Sequence, residues 1–215
     1  MMGSLLLIRH GQAIYDAGGA DRLTPLGERQ ARRVGARLAR EAPRVSRVVC
    51  GPRRRHRQTA DILIDQARTD GADYPTAIEE PFLDELPVRE LLHAAPPLPG
   101  ESLLDAVSSR IERWLARSLS PAGVESPNLF VMRVTEVFER LAPPEGEVSI
   151  LVTSGGPIAV PLWRAGALGD ARSALTTALQ LSNASVTELV IDDGDWKITS
   201  GHPVAHLSDD EITKV

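Results

Sequence analysis

At 215 residues with a formal net charge of −5, the chain is long enough to bury one sizeable core and too acidic to be a general nucleic-acid binder, which neutralises phosphates with a basic surface. Its single cysteine, Cys50, excludes an internal disulfide, offers no metal-cluster spacing, and reads as a buried strand residue. No apolar run is long enough to span a bilayer, and Leu5 to Ile8 is too short a run, too closely followed by charge, for a signal peptide, so a soluble cytoplasmic protein is expected.

The first element is an unbroken apolar run, Leu5 to Ile8, with the character of a strand buried on both faces, and it ends on Arg9, His10 and Gly11. Open α/β folds place ligands at the carboxyl ends of parallel strands, and Gly11 would let the chain turn so that His10 faces a crevice. On this tripeptide alone, a hydrogen-bonded surface histidine is the commoner reading. A polar, Gly-rich loop follows at 17–22. Then Thr24 and Pro25 read as the N-cap and first residue of a helix whose apolar stripe is Leu26, Ala31, Val34 and Leu38.

A second apolar strand, Val48 to Cys50, runs through Gly51-Pro52 into Arg53, Arg54, Arg55 and Arg57 at the start of a helix expected over about 55–70, with Ile62, Leu63 and Ala67 inward. Guanidinium groups crowded onto a helix N-terminus, where the dipole is already positive, make an anion site. From Tyr74 to Leu98 the chain is Pro-rich and acidic, with Glu79, Glu80, Asp84 and Glu85, and reads as a solvated loop. Ser102 opens a helix expected to about Leu119 with Leu103, Val107, Ile111, Trp114 and Leu115 on one face; Ser126 opens another. A third strand from Val148 ends in Thr153-Ser154-Gly155-Gly156. Leu175 to Leu181 should end a helix, and Ser185 to Ile191 alternates like a strand that turns at 192–195 before Trp196 to Thr199.

The strand ending in Arg9-His10-Gly11, LTPLGERQA from Leu23, Arg55 to Ala60, Leu83-Asp84-Glu85, Gly123 to Val134, ILVTSGG, Asn183 to Leu189 and Ala205-His206-Leu207, taken in order, resemble the histidine phosphatase superfamily, the phosphoglycerate mutase-like proteins. The likeness spans nearly the whole chain. It implies a single domain, 1–215, built as an α/β three-layer sandwich: a mostly parallel central sheet flanked by helices, with a helical cap at about 75–125. The helix at 102–119 is atypical of the family; it is expected to cover apolar surface, gate substrate or make a homodimer contact.

The resemblance further implies metal-independent hydrolysis of a small phosphorylated metabolite through a phosphohistidine, with no cofactor, no nucleic-acid partner and no membrane partner. In that reading His10 is the nucleophile, Arg9 and Arg55 grip the phosphoryl group, Glu85 is the general acid in preference to Asp84 and Glu80, and Ser154 with Gly155 completes the phosphate cradle. Arg53, Arg54 and Arg57 are rim or surface charges whose extra basicity would favour a substrate with more than one anionic group. His56 is read as structural, as are His202 and His206, and Asn183 as a turn-former. The chain departs from the pattern twice. Ser154 stands where the family carries a second histidine, and a neutral donor to an anion is worth about 1–2 kcal/mol less than a charged one, while losing a preorganised donor can cost ~10²-fold in rate. Asp16 lies near a phosphate-holding asparagine of the mutases and is expected to face solvent. Turnover is therefore expected to be slow, or to borrow charge from elsewhere. A phospholigand-binding or regulatory protein is the alternative, and a mutase a weaker third.

Overall fold

The computed structural model describes residues 3–15, 21–42, 44–167, 170, 174, 178–199 and 203–214. Asp16, His202 and 175–177 of the helix expected at 175–181 lie outside them. The central sheet runs β5 (Ile78–Glu79), β4 (Arg47–Cys50), β6 (Val148–Thr153), β1 (Ser4–Arg9), β7 (Val186–Asp192), β8 (Asp195–Ile198). The first four strands are mutually parallel, and β7 and β8 add to β1 as an antiparallel edge, so the sheet is mostly parallel as expected. Ser4 to Arg9 is buried throughout, and its side chains alternate between two cores. Leu5 and Leu7 face a cluster with residues of α4 (Leu103–Leu115), α5 (Pro127–Leu141) and α6 (Gly155–Arg164). Leu6 and Ile8 face the other, with Val34 and Leu38 of α1 (Pro25–Glu41) and Leu63 and Ile64 of α2 (Arg54–Thr69).

Helix starts follow the predicted chemistry. Thr24 caps α1 by accepting from the Gly27 N–H at 3.0 Å, with Pro25 first in the helix, and Ser102 and Ser126 cap α4 and α5 in the same way. Four expectations are corrected. The buried face of α2 runs through Leu63, Ile64 and Ala67, while Ile62 is only partly buried. α4 ends at Leu115, and Leu103 is 64% exposed because the inward stripe begins at Ala106 and runs to Ile111 and Trp114. The acidic segment at 74–98 is not all loop: it holds β5, a 3₁₀ turn at Pro81–Leu83 and α3 (Val88–Ala94), with Leu83, Leu86 and Leu91 buried in the core. In the loop read at 17–22, Asp21 and Arg22 join β3 (Asp21–Leu23), which pairs with β2 (Ala13–Tyr15). No helix among the described residues is long and apolar enough to cross a membrane.

Candidate active site

The carboxyl ends of β1, β4 and β6 lie side by side, because β6 sits between the other two, and they bring Arg9-His10-Gly11, the start of α2 and Ser154-Gly155-Gly156 to one edge of the sheet. The β1 turn is fixed by close approach. A methyl group on Gly11 would stand 2.4 Å from the Gly27 carbonyl oxygen, and one on Gly27 would stand 2.0 Å from that of Gln12, so the turn seats directly on the first turn of α1. The Gly11 N–H donates to Thr59 Oγ1 on α2 at 3.1 Å, and Ala184 and Asn183 donate to the His10 carbonyl oxygen.

His10 is buried, with Nδ1 2.7 Å from the Gly11 carbonyl oxygen. A carbonyl only accepts, so Nδ1 carries the hydrogen and Nε2 of the neutral ring keeps its lone pair. Burial first, then the guanidinium charges of Arg55 and Arg9 and the His56 ring, hold His10 well below the ordinary imidazole range. The result is a neutral, directed imidazole under the influence of two cations. Arg9, itself buried, donates to the Leu181 carbonyl oxygen. Arg55 is buried at the start of α2, pairs with Asp21 of β3 at 2.7 Å, and donates through Nη2 to Ser154 Oγ at 3.0 Å. An anion held by Arg55 would compete with Asp21.

Glu85 is half-buried, and its Oε1 accepts from the Gly156 N–H of α6 at 3.1 Å and from the Leu86 N–H at 2.8 Å. The rival carboxylates are engaged elsewhere. Asp84 holds Arg53 through both oxygens and accepts from the Glu85 N–H, while Glu80 pairs with Arg140 and accepts from the Phe82 N–H. Arg133 of α5 fastens the segment by donating to the Phe82 and Asp84 carbonyl oxygens. Of the other basic residues, Arg57 donates to the Ala77 carbonyl oxygen and lies 3.8 Å from Glu79, and Arg54 is exposed. Gly155 is the first residue of α6 and is buried.

Two contributors escape the sequence reading. His56, read there as structural, is fully buried with its ring centroid 5.6 Å from that of His10 and its Nε2 2.7 Å from Ser154 Oγ. The signal was available, since the buried stripe Ala67, Leu63, Ala60 extends back one turn to position 56. Asp21 had no comparable signal, because a polar loop sequence does not say which distant helix β3 will meet. His206, by contrast, lies against the Ala184 carbonyl oxygen at 2.9 Å, a packing role as expected.

A model of the histidine phosphatase superfamily (branch 1) matches residues 5–201. No curated protein matches the chain. Among solved structures, a phosphoglycerate mutase from Bacillus anthracis superposes with a TM-score of 0.65 at 20% identity, covering 95% of this chain and 95% of its own. An alpha-ribazole phosphatase from Shigella flexneri gives 0.60 at 18% identity over 93% and 96%, and a phosphoserine phosphatase from Entamoeba histolytica in complex with 3-phosphoglyceric acid gives 0.60 at 17% over 96% and 100%.

Proposed function

The chain belongs to branch 1 of the histidine phosphatase superfamily, and on that premise we propose that it is a metal-independent phosphomonoester hydrolase acting through a phosphohistidine on a small phosphorylated metabolite. The observation that carries this reading is the state of His10: neutral, with its hydrogen held at Nδ1 by Gly11, its free lone pair at Nε2, and the guanidinium charges of Arg55 and Arg9 acting on it. Nε2 attacks phosphorus as the P–O bond to the leaving group breaks, Arg9 and Arg55 neutralise the equatorial oxygens, and Glu85 gives its proton to the departing oxygen. Water then attacks the phosphohistidine, Glu85 takes the water proton, and the P–N bond breaks to return neutral His10 and phosphate. Ser154 and the Gly155 amide complete the cradle.

The neighbours named above include a phosphoserine phosphatase and an alpha-ribazole phosphatase, which supports a phosphatase reading. The rim supports one anionic group rather than several, because Arg53 is held by Asp84 and Arg57 lies beside Glu79. The chain is read as one domain, 1–215, with a helical cap at about 75–125 that includes Glu85, α3 and α4.

A second reading, a phospholigand-binding or regulatory protein with little turnover, is favoured by Ser154. A hydroxyl in the place of a second imidazole keeps a hydrogen bond and carries no charge. Hydrolysis of p-nitrophenyl phosphate in chelator separates the two. The hydrolase turns it over and loses that activity in His10→Ala, whereas the binding protein is stabilised against unfolding by phosphate and turns over nothing.

A further inference from the structure

Ser154 is the N-cap residue of α6, in extended conformation, and a serine there normally turns its hydroxyl onto the N–H groups of its own helix. Here it makes no cap bond. Its fully buried Oγ accepts from Arg55 Nη2 at 3.0 Å and lies 2.7 Å from Nε2 of the fully buried His56. A guanidinium only donates, so Ser154 Oγ accepts from Arg55; with the imidazole hydrogen on Nδ1, beside the Gly51 backbone, the Ser154 hydroxyl donates to His56 Nε2. Nδ1 faces the Gly51 backbone without a hydrogen bond of normal geometry. Burial and the charges of Arg55 and Arg53 hold His56 well below the usual imidazole range. A buried imidazolium set among cations is costly in the resting protein and becomes favourable once an anion arrives beside it.

We propose that His56 is the second imidazole of this site, a positioning residue that acts on the bound phosphoryl group through the Ser154 hydroxyl. The inference rests on the phosphoryl-site reading given above. When a monoester monoanion binds, its acidic proton moves to Ser154 Oγ while the hydroxyl proton moves to His56 Nε2. One phosphoryl O–H bond breaks, one N–H bond forms, the serine exchanges its proton, and no bond to phosphorus changes. His56, now an imidazolium, donates to Oγ, and Oγ donates to the phosphoryl oxygen. A dianion reaches the same state with a proton taken from water. The positive charge that a serine cannot carry is thus supplied from α2. The charged and titratable groups facing His56 are Arg53 and Arg55 on its own helix and His10 at the end of β1; the β6–α6 junction presents the Ser154 hydroxyl, and the segment after β4 the Gly51 backbone.

The test uses sulfate, a dianion that does not titrate between mildly acidic and mildly basic pH, with proton uptake measured by calorimetry in buffers of different ionisation enthalpy. The native chain takes up protons on binding. His56→Gln, which keeps a donor for Ser154, takes up one fewer, so its affinity changes about tenfold less per pH unit. In His10→Gln the uptake assigned to His56 persists. In nitrogen-15 histidine spectra of the native chain, which need no variant to fold, the His56 ring becomes an imidazolium when sulfate is added. Unchanged uptake in His56→Gln, or a His56 ring that stays neutral in the sulfate complex, overturns the inference and leaves the phosphoryl site standing. Failure of the native chain to bind sulfate and phosphate overturns both together. A purely structural His56 would lower the melting temperature of the variant while leaving its proton count unchanged.

Discussion

Gly156→Ala tests the placement of Glu85, the proposed general acid, without replacing it. The Gly156 N–H donates to Glu85 Oε1 at 3.1 Å, and an added methyl group would stand 2.4 Å from that oxygen and 2.7 Å from Leu86 Cγ. Ordinary contact needs roughly 3.5 Å, so the carboxylate, as the free end of its side chain, must retreat by about 1 Å. Leu86 is buried and yields less, which sets a stability cost of roughly 1–3 kcal/mol for overpacking. A misplacement of about 1 Å at a group that acts on the reacting atoms costs on the order of 10² in rate. The assay compares kcat for p-nitrophenyl phosphate with kcat for an alkyl phosphate, whose leaving group depends far more on protonation. The alkyl ester should lose about 10²-fold, the nitrophenyl ester much less, and inhibition by phosphate should change little. Equal losses for both esters, or phosphate affinity falling in step with turnover, would refute the reasoning by assigning the glycine to the phosphate cradle rather than to the carboxylate. Urea unfolding of the same variant separates lost stability from lost chemistry.

Glu85→Gln should keep phosphate inhibition and lose roughly 10²- to 10⁴-fold in turnover of the alkyl ester, and equal turnover would remove Glu85 from the mechanism. Asp21→Asn removes the carboxylate that competes for Arg55; phosphate should bind about tenfold more tightly while the fold loses on the order of 1 kcal/mol, and weaker phosphate binding would mean that Asp21 orients Arg55 instead. His10, His56 and His206, the last lowered to about 4, all titrate in the folded chain below their ordinary value of 6.5, chiefly through burial. The unfolded chain then binds more protons below that value, so their contribution to stability is complete above about pH 6.5 and is lost as pH falls. Each histidine adds a slope of about 1.4 kcal/mol per pH unit within its own window, and urea titrations at pH 7 and pH 5 should show a lower unfolding free energy at pH 5.

What the sequence revealed follows from how local its signals are. Leu5 to Ile8 ending on Arg9-His10-Gly11, and Thr24-Pro25 opening α1, are written in consecutive residues and appear in the structure where they were expected. The basic helix start at 53–57 is itself a short-range pattern, while the choice of Arg55 within it came from the family resemblance. The fold of the 74–98 segment was not, since its charges and prolines conceal Leu83, Leu86 and Leu91, three leucines at irregular spacing that the α5 side of the core buries. Asp21 on Arg55 depends on β3 lying against the start of α2, a long-range contact that spacing does not encode. His56 and Ser154 lie 98 positions apart and meet only because β4 and β6 are sheet neighbours. Each looks bland on its own strand or helix. Their pairing changes the meaning of Ser154 from a missing imidazole to one end of a bond to an imidazole on another element.

The central claim is covalent chemistry at His10, and the most direct measurement is to trap it. The native chain and His10→Ala are mixed with p-nitrophenyl phosphate in excess chelator and quenched in base, where a phosphohistidine persists, and the intact mass and peptide map are read. The account predicts a gain of one phosphoryl group on the peptide bearing His10 in the native chain and none in the variant, together with loss of nitrophenol release. Steady nitrophenol release with no phosphoryl group on His10, or release that survives His10→Ala, would contradict it.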